Sequence, residues 1–151
     1  MPMPWTFRHP EKEWGLFLDD IREVLGTPSS NVAYTAAEGV FGAFRRRLTV
    51  AQALAFAQGL PAVPRALFVQ GWEPAEPLPW AGAETYLAEA RALRADHNFI
   101  SENAVEAVSY ALHRALRPEV LGRALARIGP EAEAFWRLTG YSDTALAPGI
   151  R

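Results

Sequence analysis

The stretch Leu60-Pro61-Ala62-Val63-Pro64-Arg65-Ala66-Leu67-Phe68-Val69-Gln70-Gly71-Trp72-Glu73-Pro74, running on to Pro79-Trp80, decides the fold. Its first part is helical. Pro61 suits the first turn of a helix, where a missing N–H costs little, and Val63, Leu67 and Phe68 precede a stop at Gly71. Its second part is not helical: three prolines between Trp72 and Pro79 predict an extended connector. A connector in mid-chain closes one run of amphipathic helices and opens another.

Before it, Trp14, Phe17, Leu18, Ile21 and Leu25 recur at helical spacing from Glu11 onward, and Gly26-Thr27-Pro28 is a stop. Asp19, Asp20, Arg22 and Glu23 are expected on the surface of that helix, and residues 1–10, rich in proline, are expected to be irregular. Ser29 or Ser30 can cap a second helix carrying Ala37, Val40, Phe41, Phe44 and Leu48. Gly39 and Gly42 within it cost about 1 kcal/mol each relative to Ala, which close approach of another helix would explain. Thr49-Val50-Ala51-Gln52 reads as a capping box opening a third, short helix that Gly59 ends.

Beyond the connector the series restarts. Tyr86, Leu87, Ala90 and Leu93 form one stripe, and Asp96-His97-Asn98 a break. A helix capped by Ser101 carries Ala104, Val108, Ala111, Leu112 and Ala115. Pro118 opens another with Leu121, Ala124, Leu125 and Ile128. Gly129-Pro130 opens the last, with Phe135 and Trp136, ending at Gly140. The tail from Ser142 has no periodicity. The two halves superpose at an offset of 68 or 69 residues: Phe17-Leu18 on Tyr86-Leu87, Val40 on Val108, Phe44 on Leu112, Leu67-Phe68 on Phe135-Trp136. The expectation is an all-α bundle of about eight helices in one domain over 1–151. It would be built from two similar four-helix units, about 11–72 and 81–141, each burying its apolar face against the other.

Arg47-Leu48-Thr49, Ala57-Gln58-Gly59-Leu60-Pro61 and Arg65-Ala66-Leu67-Phe68-Val69-Gln70-Gly71-Trp72-Glu73-Pro74 together resemble the signature of a bacterial family known as domain of unknown function 2267. The resemblance covers roughly residues 14–138. It implies a helical, duplicated protein whose weaker second copy closes near Trp136; Gly59 departs from it by interrupting the family's Gln-Leu-Pro. The family brings no activity, substrate or cofactor.

The composition narrows the function classes. Half of the 151 residues are hydrophobic, enough for a core. A net charge of -2 gives no general pull toward nucleic acid. The absence of cysteine excludes disulfides, thiol nucleophiles and thiolate metal sites. Met1-Pro2-Met3-Pro4-Trp5 does not read as a secretory signal, and no apolar run approaches a membrane span; cytoplasmic is the default expectation.

Candidate chemistry is sparse. Glu102, Glu106, Ser109 and His113 share one side of a helix, as a Ser–His–carboxylate or Glu/Glu/His metal set would. The plainer reading is the solvated face opposite Ala104, Val108 and Leu112, because a triad draws on several elements. His9 and Glu13 straddle Pro10 at a helix start and are not expected to share a face, and His97 suits a turn. Arg45-Arg46-Arg47 is the only run of cations. It could meet phosphates, with Arg114, Arg117, Arg123 and Arg127 adding charge, but it also opposes a helix dipole. Trp72, Trp80 and Trp136 could anchor a partner or staple the connector to the core. The leading expectation is a non-enzymatic module with no cofactor that binds a protein, its own copy included, with Trp72, Trp80, Arg45, Arg46 and Arg47 as the partner-facing residues. Nucleic acid is a disfavoured second reading. A small-molecule binder or enzyme with a pocket between the units is a third.

Overall fold

Helix periodicity carries over into ten helices in a computed structural model that describes residues 2–93 and 100–147. In chain order they are α1 (Trp5–Arg8), α2 (Pro10–Leu25), α3 (Ser30–Arg45), α4 (Val50–Gln58), α5 (Ala62–Val69), α6 (Ala83–Ala92), α7 (Ala104–Ala115), α8 (Pro118–Ile128), α9 (Pro130–Trp136) and α10 (Asp143–Leu146). Among the described residues there is no strand. The Asp96-His97-Asn98 break lies outside the described residues.

The helix ends follow local chemistry. Ser29 accepts from the Val32 N–H, and Thr49 and Gln52 exchange both bonds of a capping box. Gly26 closes α2 in the left-handed conformation at φ 70°. Several details depart from the sequence reading, among them a Ser142-capped α10 in the tail and an α3 that stops before Leu48. The proline-rich start forms the one-turn helix α1, and its Thr6 hydroxyl accepts at 2.7 Å from Ala62 N–H, an otherwise unpaired donor of the first turn of α5. Pro61 stands one residue before α5, as its N-cap, and α5 ends at Val69. Ser101 does not cap α7; its hydroxyl bonds Asn103, which occupies the cap position. The last long helix stops at Trp136, four residues short of Gly140.

Packing is crosswise between the two halves of the chain: α2 lies chiefly against α7, α3 against α6, and α4 meets α8. One cluster of buried side chains runs through both halves, and Phe41, Phe44, Phe56, Phe68 and Trp136 interlock at its centre, Phe44 and Trp136 with ring centroids 5.2 Å apart. Gly39 has a packing role. A Cβ there would stand 2.9 Å from Ala90 Cβ and 3.0 Å from Ala90 O, so α3 and α6 meet this closely only because the side chain is missing. Gly42 has open space at the same test and plays no such part.

Candidate partner-binding groove

The connector after α5 is strapped across the C-terminal end of α3. Leu78 N–H donates to Arg46 O at 2.9 Å, Arg47 Nε donates to Pro79 O at 3.1 Å, and Trp80 packs on Phe44 at 5.9 Å. Carbonyls at a helix end lack intrahelical donors, so a passing strap satisfies them. The strap leaves a groove of about 390 Å³ lined by Arg45, Arg46, Trp72, Glu76, Leu78 and Leu93 among others. Leu78 and Leu93 are 44% and 48% exposed, and Trp72 is half-buried. The lining is an apolar strip with guanidinium and carboxylate groups beside it.

The three consecutive arginines have three different environments. Arg47 is buried. Its two terminal nitrogens hold Glu89 bidentately at 2.5 and 2.7 Å, one of them also bonds Ala43 O, and the guanidinium lies 4.8 Å from the Tyr86 ring. Burial pushes the Glu89 carboxyl up, but the hydrogen bonds and charge of Arg47, with the charge of Arg46, outweigh it and hold the group below its ordinary value. Arg45 donates to Phe68 O at 2.8 Å and to Gln70 O at 3.3 Å, and its guanidinium lies 5.9 Å from the Trp72 ring. Burial, then the neighbouring Arg46 charge, lowers its pKa. Arg46 is exposed and meets Glu89 at 3.4 Å. Arg47 therefore does not face a partner, as the sequence run had suggested; it anchors α6 and the strap to α3. Arg45, Arg46 and Trp72 line the groove. Trp80 staples the connector to the core, and Trp136 is fully buried.

Leu78 and Glu89 escape the sequence reading, and Leu93, expected on the apolar stripe with Tyr86, Leu87 and Ala90, is exposed. For Glu89 a signal existed: it stands 69 residues after Asp20, at the repeat offset. Asp20 itself, assigned to the surface, is 6% exposed and pairs with Arg114 at 3.2 Å. Nothing local marked Leu78, whose exposure depends on where the strap lies.

Of Glu102, Glu106, Ser109 and His113, Glu102 lies in the turn before α7, and the face formed by the other three is not wholly solvated. Ser109 is buried, and its hydroxyl donates to Trp136 O at 2.6 Å. The His113 Nδ1 proton goes to Ser109 O at 2.8 Å, so that nitrogen cannot take a proton from the serine. Glu106 accepts from the Tyr141 hydroxyl at 2.6 Å; that bond, then burial, then the Glu106 charge push the phenol up to about 12. His9 caps α2 by position and packs on Trp5 at 4.0 Å. Among the described residues no three acidic or histidine side chains form a group that could hold a metal ion, and no helix is long and apolar enough to cross a membrane.

Residues 14–135 match a family described as uncharacterized conserved protein (DUF2267). No curated protein matches the chain.

Proposed function

The chain belongs to the DUF2267 family of uncharacterized conserved proteins, and from that premise we propose that it is a non-enzymatic helical module that binds a protein, its own copy included, at the groove beside Trp72. One observation carries the reading: Leu78 and Leu93, both large, apolar and substantially exposed, line a single groove with the half-buried Trp72 ring. Exposed single leucines are ordinary, but two beside an aromatic ring and flanking charges have the make-up of an interface centre with a polar rim. The nucleic-acid reading has less support, since of Arg45, Arg46 and Arg47 only Arg46 is exposed.

In this reading the module is one domain of two related units, α2–α5 and α6–α9, seated in the cytoplasm. The crosswise packing supports the duplication, because exchanging the halves turns the α2–α7 contact into the α3–α6 contact and leaves α4–α8 in place.

The test uses the purified chain and its Leu78→Glu/Leu93→Glu variant. Light scattering over a range of concentrations reads self-association, and cross-linking in native extract reads other partners. The wild type is expected to gain mass or capture a protein that the variant loses. A wild type that stays monomeric and captures nothing the variant does not would sink the proposal.

A further inference from the structure

A second concavity, distinct from the groove beside Trp72, opens between α7, α8 and α10. It encloses about 590 Å³, within the range of small-molecule sites, and its walls are largely apolar: Pro118, Leu121, Leu125 and Leu146, with Gly122 at the surface. Among the described residues two polar side chains line it, His113 and Asp143. The wall formed by α10 is tied in place by the Arg114 guanidinium, which donates to Ala145 O at 2.6 Å, and by the Ser142 hydroxyl, which caps the helix by accepting from Ala145 N–H.

The polar chemistry of this concavity is one-sided. His113 Nδ1 donates its proton to Ser109 O, so in the neutral ring Nε2 carries none and is an acceptor. Asp143 is a carboxylate, also an acceptor and negatively charged. It takes part in no ion pair or side-chain hydrogen bond of the described residues. Among the described residues no lysine or arginine lines the cavity. An apolar chamber whose polar groups only accept suits a ligand with an apolar body and a donor head.

We propose that the α7–α8–α10 cavity is a binding site for a small amphiphilic amine, its ammonium held by Asp143 and His113 Nε2 and its hydrocarbon body lying against Leu121, Leu125 and Leu146. An acid of the same shape would meet the like charge of Asp143. This site stands independently of the partner-binding reading and needs no second protein.

Titration with naphthylmethylamine, followed by ¹H–¹⁵N correlation spectra of the intact chain, tests it, with naphthoic acid as the matched control. The amine is expected to shift the Leu121, Gly122, Leu125 and Leu146 amides saturably, with a dissociation constant on the order of millimolar for so small a probe, while the acid leaves them unmoved. Gly122→Leu adds a side chain to the cavity lining without a clash: a Cβ at Gly122 meets nothing within 4 Å, and leucine is the better helix former. It is expected to abolish the shifts. Asp143→Asn is expected to weaken the amine by about fivefold. No saturable shift with the amine, equal shifts with the acid, or shifts that persist in Gly122→Leu would each overturn the assignment.

Discussion

Two of the helix crossings that join the halves of the chain, α3 on α6 and α2 on α7, each set an arginine against a carboxylate beside a tyrosine ring. At the first, Arg47 is 4% exposed, grips Glu89 with both nitrogens and lies over Tyr86. At the second, Arg114 Nε stands 3.2 Å from Asp20 without hydrogen-bond alignment, and the guanidinium lies 5.5 Å from Tyr110. Under the proposed duplication Glu89 corresponds to Asp20, but the residue corresponding to Arg114 is Arg46, not Arg47. A step of one residue turns a side chain by about 100° around a helix. That step takes the guanidinium from the rim, where Arg46 stays exposed, to the interior. The helix approach differs in the same sense: Gly39 meets Ala90 at the first crossing, and the corresponding pair at the second is the bulkier Ala107 and Ile21. One pattern therefore yields a glycine-permitted crossing whose arginine is buried, and a second with bulkier contact residues whose arginine is partly exposed over a buried Asp20.

The comparison is broken most directly by removing the carboxylates. Glu89→Ala leaves Arg47 buried and unpaired and is expected to cost about 3 kcal/mol, whereas Asp20→Ala, whose partner can turn to water, should cost about 1 kcal/mol. Urea unfolding of both variants measures the gap, and equal losses would mean that the crossings are alike. Gly39→Val should cost about 2 kcal/mol, because the new side chain meets the Ala90 backbone. In the same assay Gly42→Ala, with open space around it, should gain up to about 1 kcal/mol.

Two titrations give smaller effects. The Glu89 carboxyl ionises below its ordinary 4.5 in the folded chain, so its contribution to stability is present above that value and lost as pH falls below it through the folded pKa. Unfolding midpoints measured downward from pH 4.5 should fall more steeply in the wild type than in Glu89→Gln. The Tyr141 phenol behaves in the opposite sense. Its folded pKa is raised from 10.0 to about 12, so its contribution holds below the first value and is lost as pH rises toward the second. Ultraviolet phenolate absorbance should show a late-titrating tyrosine that Glu106→Gln brings back toward 10.0.

The helices were legible because their signals are short-ranged. The capping box Thr49–Gln52, the left-handed Gly26 and the prolines opening α8 and α9 state their function within four residues. α1 was hidden by its prolines, and its tie to α5 through Thr6 spans 56 residues. The groove was legible in part: Trp72 stood out by type, and Arg45 and Arg46 by their run, but the exposure of Leu78 and Leu93 is set by the path of the strap. Ser109 is placed by helical spacing with Glu102, Glu106 and His113 on an outward face. Its burial comes from Trp136 O, 27 positions away, which no periodicity of α7 encodes.

The sequence by itself determined that the described chain is helical, where most of the helices begin and which stripes turn inward, because period and capping are settled between neighbours. Only the tertiary structure decided which of three successive arginines is buried, why Gly39 is glycine and what the connector leaves uncovered. Each of those depends on a partner brought from another element, as Glu89 is brought to Arg47 from 42 residues away.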